Sequence, residues 1–201
     1  NFDKGASEVF TGGGGGQNLK PAQLDKMNTV WVRVNAVVFF GLTVLLVLAI
    51  ICAFSTYLHK GEPNIKYLGV NTIRSLKSHG GVDRALISFD LDADLTPAFN
   101  WNIKQLFVFV VAEYATEKNP LNQVIIWDKI VESKEEAHLK DRNIFVKYAL
   151  IDQGKNLRDK DVTLKLYWDH MPLTGRLYMN SGNSGDDSSF TLPEDYFNNK
   201  K

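Results

Sequence analysis

Residues 36–54 read AVVFFGLTVLLVLAIICAF, 19 residues without a charge. At about 1.5 Å rise per residue, such a helix crosses most of a roughly 30 Å hydrocarbon core. The run exceeds the roughly 7–15 residues of a secretory h-region. It has no polar face, which argues against a buried helix of a soluble core. Trp31 and Tyr57 flank it like an interfacial aromatic belt, and Arg33 and Lys60 reach toward headgroups. The pattern predicts a transmembrane helix over residues 34–57, preceded by a short tail at 27–33. Lys20, Lys26 and Arg33 lie on one side and Lys60, Lys66 and Arg74 on the other, so charge alone leaves the orientation open.

After about Glu62 the period changes to two. In ALISFDLDADL, Ala85, Ile87, Phe89, Leu91, Ala93 and Leu95 point one way and Ser88, Asp90, Asp92 and Asp94 the other, as in a half-buried strand. QLFVFVVAEY is apolar on both faces until Glu113, which predicts a strand covered on both sides. NQVIIWDKIV, IFVKYALI and VTLKLYW read as three more strands, with IKYLGVNTI and SSFTLP as weaker ones. EKNPLN, DQGKN and SGNSGDD supply the turns. The polar ESKEEAHLKDR reads as a helical turn or a loop. Seven or so short strands without a long helix predict a mainly β fold: one N-terminal transmembrane helix, then an antiparallel β-sandwich over residues 58–201.

Residues 1–26 include five consecutive glycines, which rules out a regular element there. They read as a flexible extension, either non-native or a regulatory tail, ahead of a natural-looking start at Met27.

Composition adds exclusions. The 201 residues carry 23 Lys+Arg and 23 Asp+Glu, and after residue 59 the counts are 19 and 20, so no field attracts nucleic acid. The single cysteine, Cys52, lies inside the apolar run. That leaves no intrachain disulfide and no cysteine-based zinc site.

The candidate chemistry is thin. Asp90, Asp92 and Asp94 resemble the start of a calcium loop, but the expected glycine is missing and the twelfth position is Trp101. They read instead as a solvated strand face. His59, His79, His138 and His170 are scattered among polar stretches and read as surface residues. No GxSxG occurs, and no serine sits in a recognisable base context. MPLTG, at residues 171–175, lacks the apolar tail of a sorting signal and reads as a loop leaving a strand. No metal, cofactor or catalytic residue is expected.

One long block is far more specific. FNWNIKQLFVFVVAEYATEKNPLNQVIIWDKI closely resembles the hallmark segment of the signal peptidase complex subunit 3 family. The likeness continues through LIDQGKNLRDKDVTLKLYWDHMPLTG and covers MNTVWVRVNAVVFF at the start, spanning about Met27 to Tyr196. The resemblance implies a single-pass type II protein of the endoplasmic reticulum membrane with a cytosolic N-terminus and a lumenal β-sandwich. It also implies a non-catalytic accessory subunit that packs against the catalytic subunit of signal peptidase and against other complex subunits. The implied work is removal of signal peptides from nascent secretory and membrane proteins. One departure is visible: Asp161 stands where many members carry a glycosylation asparagine, and no N-x-Ser/Thr sequon occurs.

These expectations converge on residues 101–129. Segments 106–112 and 124–130 should be neighbouring core strands. Trp101, Lys104, Glu113, Trp127, Asp128 and Lys129 should lie at their ends or rims as a partner interface, unless the tryptophans fill the core. Trp31, Arg33 and Tyr57 are the expected membrane-interface residues. Two other readings compete: a membrane-tethered immunoglobulin-like adhesion domain, which lacks the Cys–Trp–Cys arrangement, and a membrane-anchored hydrolase, which lacks a nucleophile in context.

Overall fold

A computed structural model of the chain describes residues 29–56, 58 and 61–198. Residues 1–28, Tyr57, His59, Lys60 and residues 199–201 lie outside the described residues, and with them the expectations for the extension, the first two residues of the short tail and the aromatic at position 57.

Helix α1 spans Val30–Thr56, so it begins four residues before the expected residue 34. Its 27 residues make a rod of about 40 Å. Backbone N–H groups of Val32 and Arg33 both reach the Thr29 carbonyl, so hydrogen bonding carries the helix past the end of the apolar run. No residue of α1 is buried within the chain, and its composition is apolar enough to cross a membrane. An all-round apolar surface left uncovered by its own chain suits an apolar solvent better than water. The chain divides into two compact units within α1, after Val44; the second unit contains the last turns of α1 and every strand.

Among the described residues ten strands follow: β1 Asn64–His79, β2 Val82–Asp94, β3 Ile103–Tyr114, β4 Asn122–Val131, β5 His138–Phe145, β6 Leu150–Ile151, β7 Asp161–Pro172, β8 Tyr178–Gly182, β9 Ser189–Thr191 and β10 Phe197–Asn198. They form two antiparallel sheets. One runs β10-β1-β2-β5 with β6 also on β2; the other runs β4-β3-β7-β8 with β9 also on β7. The core holds Ile87, Phe89 and Leu91 of β2 together with Leu106, Val108 and Val110 of β3 and Leu164, Leu166 and Trp168 of β7. Phe89 of one sheet meets Trp127 of the other edge-to-face, ring centroids 6.0 Å apart.

Several expectations change. The weak first strand is the longest, 16 residues, because register shifts near Ile65, Val70 and Ile73 interrupt its alternation. Such bulges keep two long strands paired while spoiling the period. The polar stretch read as turn or loop contains the start of β5, an edge strand whose Leu139 is buried in the core and whose half-buried Ile144 packs against it, while its other side chains meet water. IFVKYALI is two strands. Val146 N–H still bonds Ile87 of the first sheet, but Tyr148 N–H crosses to the Ile126 carbonyl of the second before β6 returns. Ser88 is buried rather than solvated, its hydroxyl donating to the Thr72 carbonyl. β3 is well covered on one face only: Phe107 and Phe109 on the other stay half-buried.

Candidate functional site

Two features stand out, and the start of β3 connects them. The first is a polar junction at the end of α1. Ser55 Oγ and Thr56 Oγ1 both donate to the Cys52 carbonyl, satisfying an acceptor left open by the helix terminus. Beyond them lies Asn102, only 1% exposed. Its amide nitrogen donates to Thr56 Oγ1 at 3.0 Å and to the Thr174 carbonyl at 2.7 Å. Its amide oxygen accepts from Thr174 N–H at 3.0 Å and Thr174 Oγ1 at 3.1 Å. Leu173 N–H completes the set by donating to the Asn102 carbonyl at 2.7 Å. A buried amide is tolerated only when its donors and acceptors are matched, and here the side chain's hydrogen-bonding capacity is filled. Next to it, the Trp101 indole N–H donates to Ser55 Oγ at 3.0 Å.

The second feature is the outer face of the β4-β3-β7-β8 sheet. Phe107 and Phe109 lie on one row of β3 with centroids 5.4 Å apart, and Phe109 stacks on Tyr167 of β7 at 5.3 Å. Ile125 and Ile130 of β4 are exposed on the same face. Glu113 closes one end of the row. Its Oε1 accepts from Tyr167 Oη at 2.9 Å and Gln123 Nε2 at 2.7 Å, and Lys165 Nζ stands 4.0 Å away. Burial and then the Glu113 hydrogen bond push the Tyr167 phenol upward, so it stays a donor.

The six expected interface residues separate. Segments 106–112 and 124–130 do pair, antiparallel, with Phe107 opposite Ile130 and Ala112 opposite Val124. Lys104 and Glu113 sit near the two ends of β3. Trp127, Asp128 and Lys129 are mid-strand rather than at an end, facing Val110, Phe109 and Val108. A bulge explains Trp127: Val110 pairs with Trp127 and Val111 with Ile125, leaving Ile126 extra. Consecutive Ile126 and Trp127 are therefore both buried, Trp127 at 7% exposure. Asp128 remains on the outer side, its Oδ2 3.4 Å from Lys147 Nζ. Trp101 has the opposite fate, 61% exposed beside α1. The junction residues Ser55, Thr56, Asn102 and Thr174 were not singled out from sequence. The available signal was an Asn-Trp-Asn segment in the block that carries the resemblance.

Three aspartates of β2 hold structure. Asp90 accepts from Asn71 Nδ2 and Asn143 N–H, Asp92 faces His138 and Lys140, and Asp94 accepts from Thr96 N–H. Among the described residues no cluster of His, Cys, Asp and Glu is arranged to hold a metal ion. His170 corrects the surface reading. It is 3% exposed, stacked on Tyr178 at 4.1 Å, with Nδ1 3.2 Å from the Tyr178 carbonyl. Burial lowers its pKa below the ordinary imidazole value. His138 contacts Asp92. Neither contact presents a serine hydroxyl to an imidazole base.

Comparison with known proteins agrees with this architecture. The signal peptidase subunit family matches residues 27–195, which takes in α1 and the strands through β9. The chain is 37% identical over 177 residues to signal peptidase complex subunit 3 of Drosophila melanogaster, covering 85% of this chain and 97% of that protein. It is 36% identical over 176 residues to the Gallus gallus protein of the same name, with the same coverage. The Homo sapiens protein is 35% identical over 162 residues, 78% of this chain and 90% of that one. An apolar helix and a two-sheet domain, matched together and almost end to end, place this chain in the signal peptidase subunit family.

Proposed function

We propose that this chain is a non-catalytic accessory subunit of the signal peptidase complex. It scaffolds the catalytic subunit, a serine endopeptidase, for removal of signal peptides from nascent secretory and membrane proteins. Residues 34–57 anchor it in the endoplasmic reticulum membrane as a single-pass type II protein. Residues 27–33 are its cytosolic tail, and residues 58–201 form the lumenal domain. The observation that carries this reading is the match over residues 27–195, which includes both the anchor and the two sheets.

The outer face of β4-β3-β7-β8 meets the partner. Phe107, Phe109 and Tyr167 offer a rigid aromatic surface flanked by exposed Ile125 and Ile130. Lys104, Glu113 and Asp128 supply charge around it, Lys129 opposite Val108 leaves the edge strand on its other side, and Trp127 supports the face from within. Aromatic anchors inside a charged rim are the usual anatomy of a protein interface. The test is a detergent pull-down of the wild-type chain and of Phe109→Asp. Wild type should recover the catalytic subunit at fixed stoichiometry. Phe109→Asp should lose it while retaining the wild-type unfolding midpoint. Recovery of the wild-type chain alone, or cleavage of a preprotein by the isolated chain, would overturn the reading.

A further inference from the structure

The five-residue loop between β7 and β8, residues 173–177, reads LTGRL. Leu173 is 66% exposed and Leu177 60%, and Met179 just beyond is also exposed. A hairpin tip holding two bare leucines is unusual in contact with water alone. Its position suggests what covers it. A Cβ placed on Gly175 would lie 3.5 Å from Ala53 Cβ, so the loop runs against the last turns of α1. Those turns mark a depth: Phe54 ends the apolar run, and the next residue, Ser55, takes the Trp101 indole hydrogen bond. An indole with an apolar body and a bonded N–H at the end of a membrane-spanning run has the chemistry of an interfacial anchor. Between loop and helix is a cavity of about 300 Å³, lined by Ala53, Thr56, Asn102, Thr174, Arg176 and Tyr178. The Thr56, Asn102 and Thr174 side chains already bond within the junction, and Arg176 adds a guanidinium suited to a lipid phosphate.

We propose that the β7–β8 loop and Trp101 form a second membrane contact. Leu173 and Leu177 enter the boundary between headgroups and acyl chains, and Arg176 binds a phospholipid phosphate in the cavity beside α1. The lipid surface is the favoured occupant because the patch is continuous with the helix that already crosses it. This inference rests on the anchor reading of α1. Its consequence is mechanical: a single helix leaves a domain free to swivel, whereas a helix plus an inserted loop defines its orientation to the bilayer.

The test places one bimane-labelled cysteine at a time in the full chain, in a Cys52→Ser background. The chain is reconstituted in phosphatidylcholine nanodiscs with bromines at shallow or deep acyl positions. Leu177→Cys should be quenched by shallow bromines, Ile50→Cys by deep ones, and Lys118→Cys, in the β3–β4 hairpin loop, by neither. Adding Arg176→Gln should reduce the quenching at Leu177→Cys, and an unchanged value would overturn the phosphate contact. Quenching at Ile50→Cys without quenching at Leu177→Cys would overturn the inference and leave the anchor standing. No quenching at Ile50→Cys would remove the anchor and this inference with it. The same measurement in the purified complex should preserve the Leu177→Cys signal. Its loss there would show that another subunit covers the loop and would also overturn the inference.

Discussion

Asn102 donates its side-chain amide to the Thr56 hydroxyl at 3.0 Å, joining residues 46 apart in the chain. The same amide group bonds Thr174 through both of its ends. One buried side chain thus connects the last turn of α1, the entry to β3 and the exit from β7.

Replacing this hub should be costly. Asn102→Ala strands the Thr174 N–H and carbonyl without their partners, and an unsatisfied buried polar group costs about 1–3 kcal/mol. The expected outcome is a lower denaturant midpoint for the full chain in detergent and faster proteolysis at residues 173–177. Asn102→Asp should fail to rescue, because a carboxylate cannot donate to Thr56 Oγ1 and the Thr174 carbonyl.

Trp127 and Trp101 should respond in opposite ways. Trp127→Ala opens a cavity against Phe89 and should destabilise the domain by about 3–5 kcal/mol. Trp101→Ala, at a position 61% exposed, removes the hydrogen bond to Ser55 but opens no core cavity and should shift the unfolding midpoint much less. Equal midpoint shifts in the two variants would contradict their placement.

Stability should fall with acid in two steps. His170 is buried with its folded pKa below the ordinary value of 6.5. The unfolded chain therefore binds a proton that the folded one refuses. Its contribution is complete above about pH 6.5 and drains away as pH falls toward the folded pKa. Asp152 titrates lower. Burial alone would raise its carboxyl, but hydrogen bonds from Tyr114 Oη at 2.8 Å, Gly154 N–H and Asn156 Nδ2 outweigh it and hold the pKa below the usual 3.8. Its contribution is present above about pH 4 and lost as pH falls through that depressed value. Urea midpoints measured from pH 8 to pH 3 should show both steps. His170→Phe should remove the first step, and Tyr114→Phe should shrink the second.

The anchor is tested at its middle. Leu46→Arg places a charge at the centre of the run, at a cost of about 2.5–3.5 kcal/mol on the insertion scale. Carbonate extraction should release a substantial fraction of this variant from membranes. Unchanged retention would contradict a spanning helix.

Much of the architecture is legible because two periods are plain. The run at 36–54 has no polar face, and β2, β3, β4 and β7 show alternation or apolar density strong enough to fix their identity and nearly their limits. What escaped was weakly patterned for physical reasons. β1 changes register at bulges, and β5 is a polar edge strand recognisable only from its pairing with β2. Residues 146–149 bridge the two sheets to satisfy Ile126, a carbonyl far away in sequence.

By itself, then, the amino-acid sequence determined an apolar helix, a disulfide-free β domain and a family, since each rests on local composition or on a long block of residues. Tertiary structure decided the fates of individual side chains. Trp101 and Trp127 stand in the same apolar, charge-broken block, yet one bonds the helix end and the other enters the core. His170, read as a surface residue, is buried, and Asn102, unremarked in sequence, joins three segments. Burial depends on which distant segment arrives opposite a residue, and a single bulge at Ile126 reverses which way the following side chain points.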